Sequence, residues 1–193
     1  FRLLITTART PAFTDGQHKN VVEGMRQLKE RFERNCGVAK RKVAINWRLP
    51  ETMHDELGIE PTPIEDGKKP SISDAIEFAD AVITTPSTVY LDSLIKRRPT
   101  SILDFNNCPS FVPAAWTISA AIHINPVLEE LAVPPPAKML FQHMTLHDQL
   151  ELDGNARDRL FKLFQVMIDA GVEARKNDQE LSLPPKILPD QRH

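Results

Sequence analysis

The sequence predicts a mostly parallel, doubly wound α/β sheet of about six strands flanked by helices. Two observations carry this expectation. Short apolar runs rich in β-branched residues, "RLLITTA" (2–8), "KVAINW" (42–47), "AVITT" (81–85) and "TSILD" (100–104), recur along the chain. Segments of helical periodicity separate them. Such alternation builds βαβ units, whose strands are covered on both faces and therefore read as continuous apolar stretches.

The elements follow in order. Residues 2–8 form the first strand. The loop "RTPAFTDGQ" leads to a helix over roughly 18–34, with Val21, Val22, Met25, Leu28 and Phe32 at helical spacing. Thr14 and Gln17 have capping-box spacing before it. "KVAINW" is the second strand, and residues 62–66 in the Pro-rich stretch "PTPIEDGKKP" suggest a short third. "SDAIEFA" (73–79) is a short helix, "AVITT" a strand, 87–97 a helix and "TSILD" a strand. "AAIHI" (120–124) alternates and reads as a last short strand. "ARDRLFKLFQVMIDAGVEA" (156–174) is a long amphipathic helix. Residues 1–178 are expected to form one domain, and 179–193 an extended or disordered tail.

Composition narrows the function classes. The 24 Lys+Arg nearly balance the 26 Asp+Glu, which argues against a nucleic-acid-binding face. No run of about 18 apolar residues suggests a membrane span. Cys36 and Cys108 belong to no C-x-x-C or Cys/His array, so two reduced thiols in a cytoplasmic protein are expected. Neither G-x-G-x-x-G nor G-K-[ST] occurs.

In a strand order 3-2-1-4-5-6, strands one and four are neighbours. The loops 8–17 and 84–88 then share the carboxyl edge, where ligands of open α/β sheets bind. The second of these loops gathers Thr84, Thr85, Pro86, Ser87 and Thr88. Pro86 suits the first helical position and Thr85 the N-cap. The amides and hydroxyls of Ser87 and Thr88 then suit an anion, a phosphate above all. Arg9 follows the first strand beside this turn and suits a diphosphate. Asp92 lies one helical turn after Thr88, placed to accept hydrogen bonds from vicinal sugar hydroxyls.

The stretch "AVITT…PST…Asp92…Pro99" resembles the donor-binding signature of GT-B glycosyltransferases, in their C-terminal Rossmann-like domain. It is most similar to surface-polysaccharide and capsule enzymes and to UDP-sugar 2-epimerases. The resemblance implies that the turn (Thr85, Ser87, Thr88, with Arg9) holds the donor diphosphate and that Asp92 holds the ribose. It implies transfer of a sugar from a nucleoside diphosphate sugar to an acceptor hydroxyl. The nucleotide-sugar would be a substrate, with no separate cofactor and no metal required. Two positions depart from the signature: Asp92-Ser93 stands where Glu-Ala is usual, and Arg98 where Gly is. An epimerase half-domain and a ligand-free interaction module are the alternatives.

Phe1 falls within an apolar run without Met, so the chain is expected to be a fragment whose partner is the N-terminal GT-B half. The catalytic base is not identified. His18 at the first helix start, and Asp104, Asn106 and Asn107 after the fifth strand, are further candidates at the ligand edge. Arg48 stands similarly after strand two. His123 reads as a hydrogen-bonded strand residue, and "KRR" (96–98) as cations favoured at a helix end. His143 and His147 stand four apart without a carboxylate pattern beyond Asp148, which favours no metal.

Overall fold

The structure is a computed structural model and describes residues 1–8, 14–60, 70–106, 113–150 and 156–182. The chain divides into two compact units, residues 1–150 and 151–193.

The first unit is the expected α/β fold. Its central sheet is parallel throughout and contains five described strands: β1 (Arg2–Thr6), β4 (Ala44–Arg48), β5 (Ala81–Thr84), β6 (Thr100–Leu103) and β7 (Trp116–Ile118), in the order β4-β1-β5-β6-β7. β2 (Gly37–Val38) and β3 (Arg41–Lys42) form a separate antiparallel hairpin. The expected neighbours at the sheet centre pair in register, from Leu3 with Ala81 to Thr6 with Thr84. Arg2 to Thr6 pair on the other side with Ala44 to Arg48. The chain therefore steps from β1 to β4 and returns across β1 to β5, which puts the switch point between β1 and β5. The third strand expected at 62–66 lies outside the described residues.

Alternation along the strands feeds two apolar layers. Leu3, Ile5, Ala81 and Ile83 join one layer with Val21, Met25 and Leu28 of α1 (Asp15–Arg34) and with Leu128 and Leu131 of α5 (Ala121–Ala132). Leu4 and Val82 face the other way, against Ala75, Ile76 and Ala79 in and after α3 (Ile72–Phe78). On that same face Tyr90 and Leu94 of α4 (Thr88–Ile95) pack with Ile102 and with Leu146 of α6 (Pro136–Gln149). Helices on both faces are what a doubly wound sheet requires.

Local signals set the helix starts. The Thr14 hydroxyl accepts from the Gln17 amide and caps α1. Ser71 and Asp74 form a complete capping box on α3. Glu51–Leu57 forms a further helix, α2, which follows Pro50 and ends at Gly58 in the left-handed conformation.

The expected strand at 120–124 is corrected by the structure. The last strand is Trp116–Ile118, and residues from Ala121 belong to α5. Alternation over five residues is too short to separate a strand from a helix. Ile124, Val127, Leu128 and Leu131 continue at helical spacing and are buried, whereas Ile122 is exposed. That burial outweighs the cost of Pro126 inside the helix.

The second unit contains α7 (Ala156–Lys176), which matches the expected amphipathic segment. Leu160, Phe161, Phe164, Met167, Ile168 and Val172 are exposed on it. Of the expected tail, residues 183–193 lie outside the described residues. Among the described residues, no helix is long and apolar enough to cross a membrane.

Candidate functional site

The carboxyl edge of the sheet is closed around the switch point by hydroxyl groups. The Thr85 amide donates to the Thr6 carbonyl at 3.3 Å, and the Ala8 amide donates to Thr85 Oγ1 at 2.9 Å. Thr84 Oγ1 donates to the Thr85 carbonyl at 3.0 Å and lies 3.1 Å from Ser87 Oγ. Thr84 and Thr85 are both buried.

This bonding corrects the expected cap. Thr85 does not cap α4, because its hydroxyl is taken by Ala8 across the switch point. The N-cap is Ser87, in extended conformation and without a side-chain cap bond, and Pro86 lies just before it. The helix starts at Thr88 rather than at 87. Ser87 accepts from the Tyr90 amide through its carbonyl at 3.1 Å. The first-turn amides of Thr88 and Val89 meet no capping side chain among the described residues. They remain available to an acceptor.

A cavity of about 690 Å³ opens at this edge, between the ends of β1 and β4. Its wall includes Thr6, Thr7 and Ala8 from β1 and its continuation, and Arg48 and Glu51 from β4 and α2. Ile72 of α3 and Val89 of α4 complete its apolar side. Volumes of about 300–1,000 Å³ are usual for small-molecule sites. Arg48 Nη1 donates to the carbonyls of Pro70 at 2.7 Å and Ser71 at 2.9 Å, which anchors the guanidinium at the wall. Burial lowers the Arg48 pKa, while the nearby Asp74 charge opposes that shift. Thr7 is buried, and its Oγ1 has no hydrogen-bond partner among the described residues.

The remaining candidates fall in several places. Thr88 and Asp92 are exposed on α4, and Asp92 is not among the cavity's lining residues. Arg9 and Asn107 lie outside the described residues. His18 Nε2 sits 3.1 Å from both carboxylate oxygens of Glu56, linking α1 to α2 beside a different, smaller hollow. Asp104 Oδ1 accepts from the Asn106 amide at 3.1 Å. The Asn106 side chain bonds the Gln17 carbonyl and Asn20 at the start of α1. Asp104 and Asn106 thus brace a turn against α1.

His123 lies in the first turn of α5, where its Nδ1 meets the Ser119 amide at 3.3 Å and hydroxyl at 3.2 Å. His143 and His147 share a face of α6, with edge-on rings 4.5 Å apart. Among the described residues, no group of three or more His, Cys, Asp or Glu could hold a metal ion. Tyr90 is buried, donates to the Pro113 carbonyl at 3.2 Å, and has its pKa pushed up to about 12 by burial. It anchors α4 rather than meeting a ligand.

Sequence reasoning missed Glu51 and Thr7. The signal for Glu51 was present: a Pro followed by an acidic residue, after a strand, marks a helix start. Thr7 carried none, because its isolation depends on what the fold stacks around it.

Fold and cavity together define a Rossmann-like, doubly wound α/β domain with an open crevice at its carboxyl edge. No family model matches the chain, and no curated protein or solved structure matches it.

Proposed function

We propose that this chain is the donor-binding half of a glycosyltransferase that uses a nucleoside diphosphate sugar. One observation carries the reading. The crevice at the carboxyl edge reaches Val89, in the first turn of a helix whose N-cap supplies no capping side chain. Free amides and the positive end of the helix dipole favour a diphosphate there. The hydroxyls of Ser87 and Thr88 stand beside them, and Arg48 adds positive charge at the far wall. In the transfer, the acceptor oxygen loses its proton to a base and bonds the anomeric carbon, while the bond to the diphosphate breaks and its electron pair leaves with the diphosphate oxygen. The residues of this edge would stabilise the charge that builds on the leaving diphosphate.

Calorimetric titration of the chain with ADP, GDP, CDP and UDP tests the reading. Binding of at least one diphosphate, weakened for its nucleoside, is expected. No binding by any of the four overturns it.

A second reading, a ligand-free interaction module, is favoured by the hydrogen bonds that occupy Thr84, Thr85 and Ser87 within the turn itself. The same titration separates the two.

A further inference from the structure

Resting on the nucleotide-sugar reading, we infer that the ribose diol of the donor is held by Glu51, at the cavity between β1 and β4, rather than by Asp92 on α4. Four observations lead here. Glu51 lines the cavity, and Asp92 does not. Among the described residues, the Glu51 carboxylate has no ion pair or hydrogen bond, so its lone pairs are free to accept. It follows β4 by three residues, and β4 pairs directly with β1. In dinucleotide-binding sheets of this class an acidic side chain accepts from the ribose hydroxyls, the chemistry a free Glu51 carboxylate offers.

The rest of the wall suits a nucleoside. Arg48 spends only Nη1 on the Pro70 and Ser71 carbonyls. A guanidinium has five N–H donors, so others can meet ligand oxygens. The Thr52 hydroxyl stands next to Glu51 on the same wall, and Ile72 and Val89 offer an apolar face to the sugar ring. Val89 also belongs to the first turn of α4, so the cavity that Glu51 lines extends to the start of that helix. Glu51 and Asp92 are both exposed, and of the two only Glu51 lines the cavity.

The test is calorimetric titration of the wild-type chain, Glu51→Gln and Asp92→Asn with ADP, GDP, CDP and UDP and with the 2′-deoxy counterpart of each. The wild type is expected to bind its preferred ribonucleotide about tenfold more tightly than the deoxy form, as fits a hydrogen bond to a charged group. That preference should shrink to about twofold in Glu51→Gln, where a neutral amide replaces the charged acceptor, and persist in Asp92→Asn. Glu51→Asp, which keeps the charge on a shorter arm, should recover part of it and guards against a folding defect in Glu51→Gln. An undiminished preference in Glu51→Gln, its loss in Asp92→Asn, or no preference in the wild type would each overturn the inference and leave the nucleotide reading standing. Failure of all four ribonucleotides to bind would remove both.

Discussion

The Thr85 hydroxyl accepts a hydrogen bond from the Ala8 amide at 2.9 Å, across the switch point of the sheet. Thr85 is buried, and residues 8 and 85 follow the two central strands, so this bond seals the ends of β1 and β5 together. Replacing Thr85 with Val keeps the shape and strands the Ala8 amide. A loss of about 1–3 kcal/mol in unfolding free energy is expected from urea denaturation. A variant as stable as wild type would mean that the amide finds another acceptor.

Thr7 is the opposite case. Its buried hydroxyl has no partner among the described residues, and such a group destabilises the folded state. Thr7→Val is therefore expected to raise stability by about 1 kcal/mol, read as a higher melting temperature. A lower melting temperature would show that the hydroxyl is satisfied in solution.

Lys40 and Ala39 turn the β2–β3 hairpin with φ of 60° and 46°. This left-handed backbone costs a non-glycine residue about 1–2 kcal/mol. Two-residue hairpin turns of this kind prefer Gly at the second position. Lys40→Gly should stabilise the fold by about 1 kcal/mol, offset in part by the entropy glycine gains when unfolded. Urea denaturation reads it, and a destabilised variant would count against the turn as described.

Asp80 joins the start of β5 to that of β1. It accepts from the Arg2 amide at 2.8 Å and pairs with the Arg2 guanidinium at 2.7 Å. The Arg2 side-chain hydrogen bond holds its pKa down at about 2, against a usual value of 3.8. A depressed carboxyl contributes stability above its unfolded pKa and loses it as pH falls through the folded value. The stability gap between wild type and Asp80→Asn should therefore be full above about pH 4 and close towards pH 2. Because both side chains are well exposed, the gap should be modest and shrink in high salt. A gap that stays constant over that range would contradict the pairing.

Much of the fold was legible in the sequence because it is written in local patterns. The apolar runs at 2–8, 81–85 and 100–104 can be buried on both sides only in a covered parallel sheet. The stripe from Val21 to Phe32 and the Thr14–Gln17 capping spacing announce the first long helix within a few turns of chain. Those patterns sufficed for the fold class and for the pairing of residues 3–6 with 81–84.

Tertiary structure decided what local pattern leaves degenerate. Residues 120–124 alternate as a strand would, yet Leu128 and Leu131 draw them into a helix against the sheet. Thr85 has the chemistry of an N-cap, but an amide 77 residues away in sequence claims its hydroxyl, so the helix begins later, at Thr88, after an N-cap serine that makes no side-chain cap bond. Glu51 and Arg48 meet Val89 around one cavity only because β4 and β5 lie on opposite sides of β1. A side chain's bonding capacity is local and can be read from its type. Which partner uses that capacity depends on which distant segments the sheet order brings within hydrogen-bond reach.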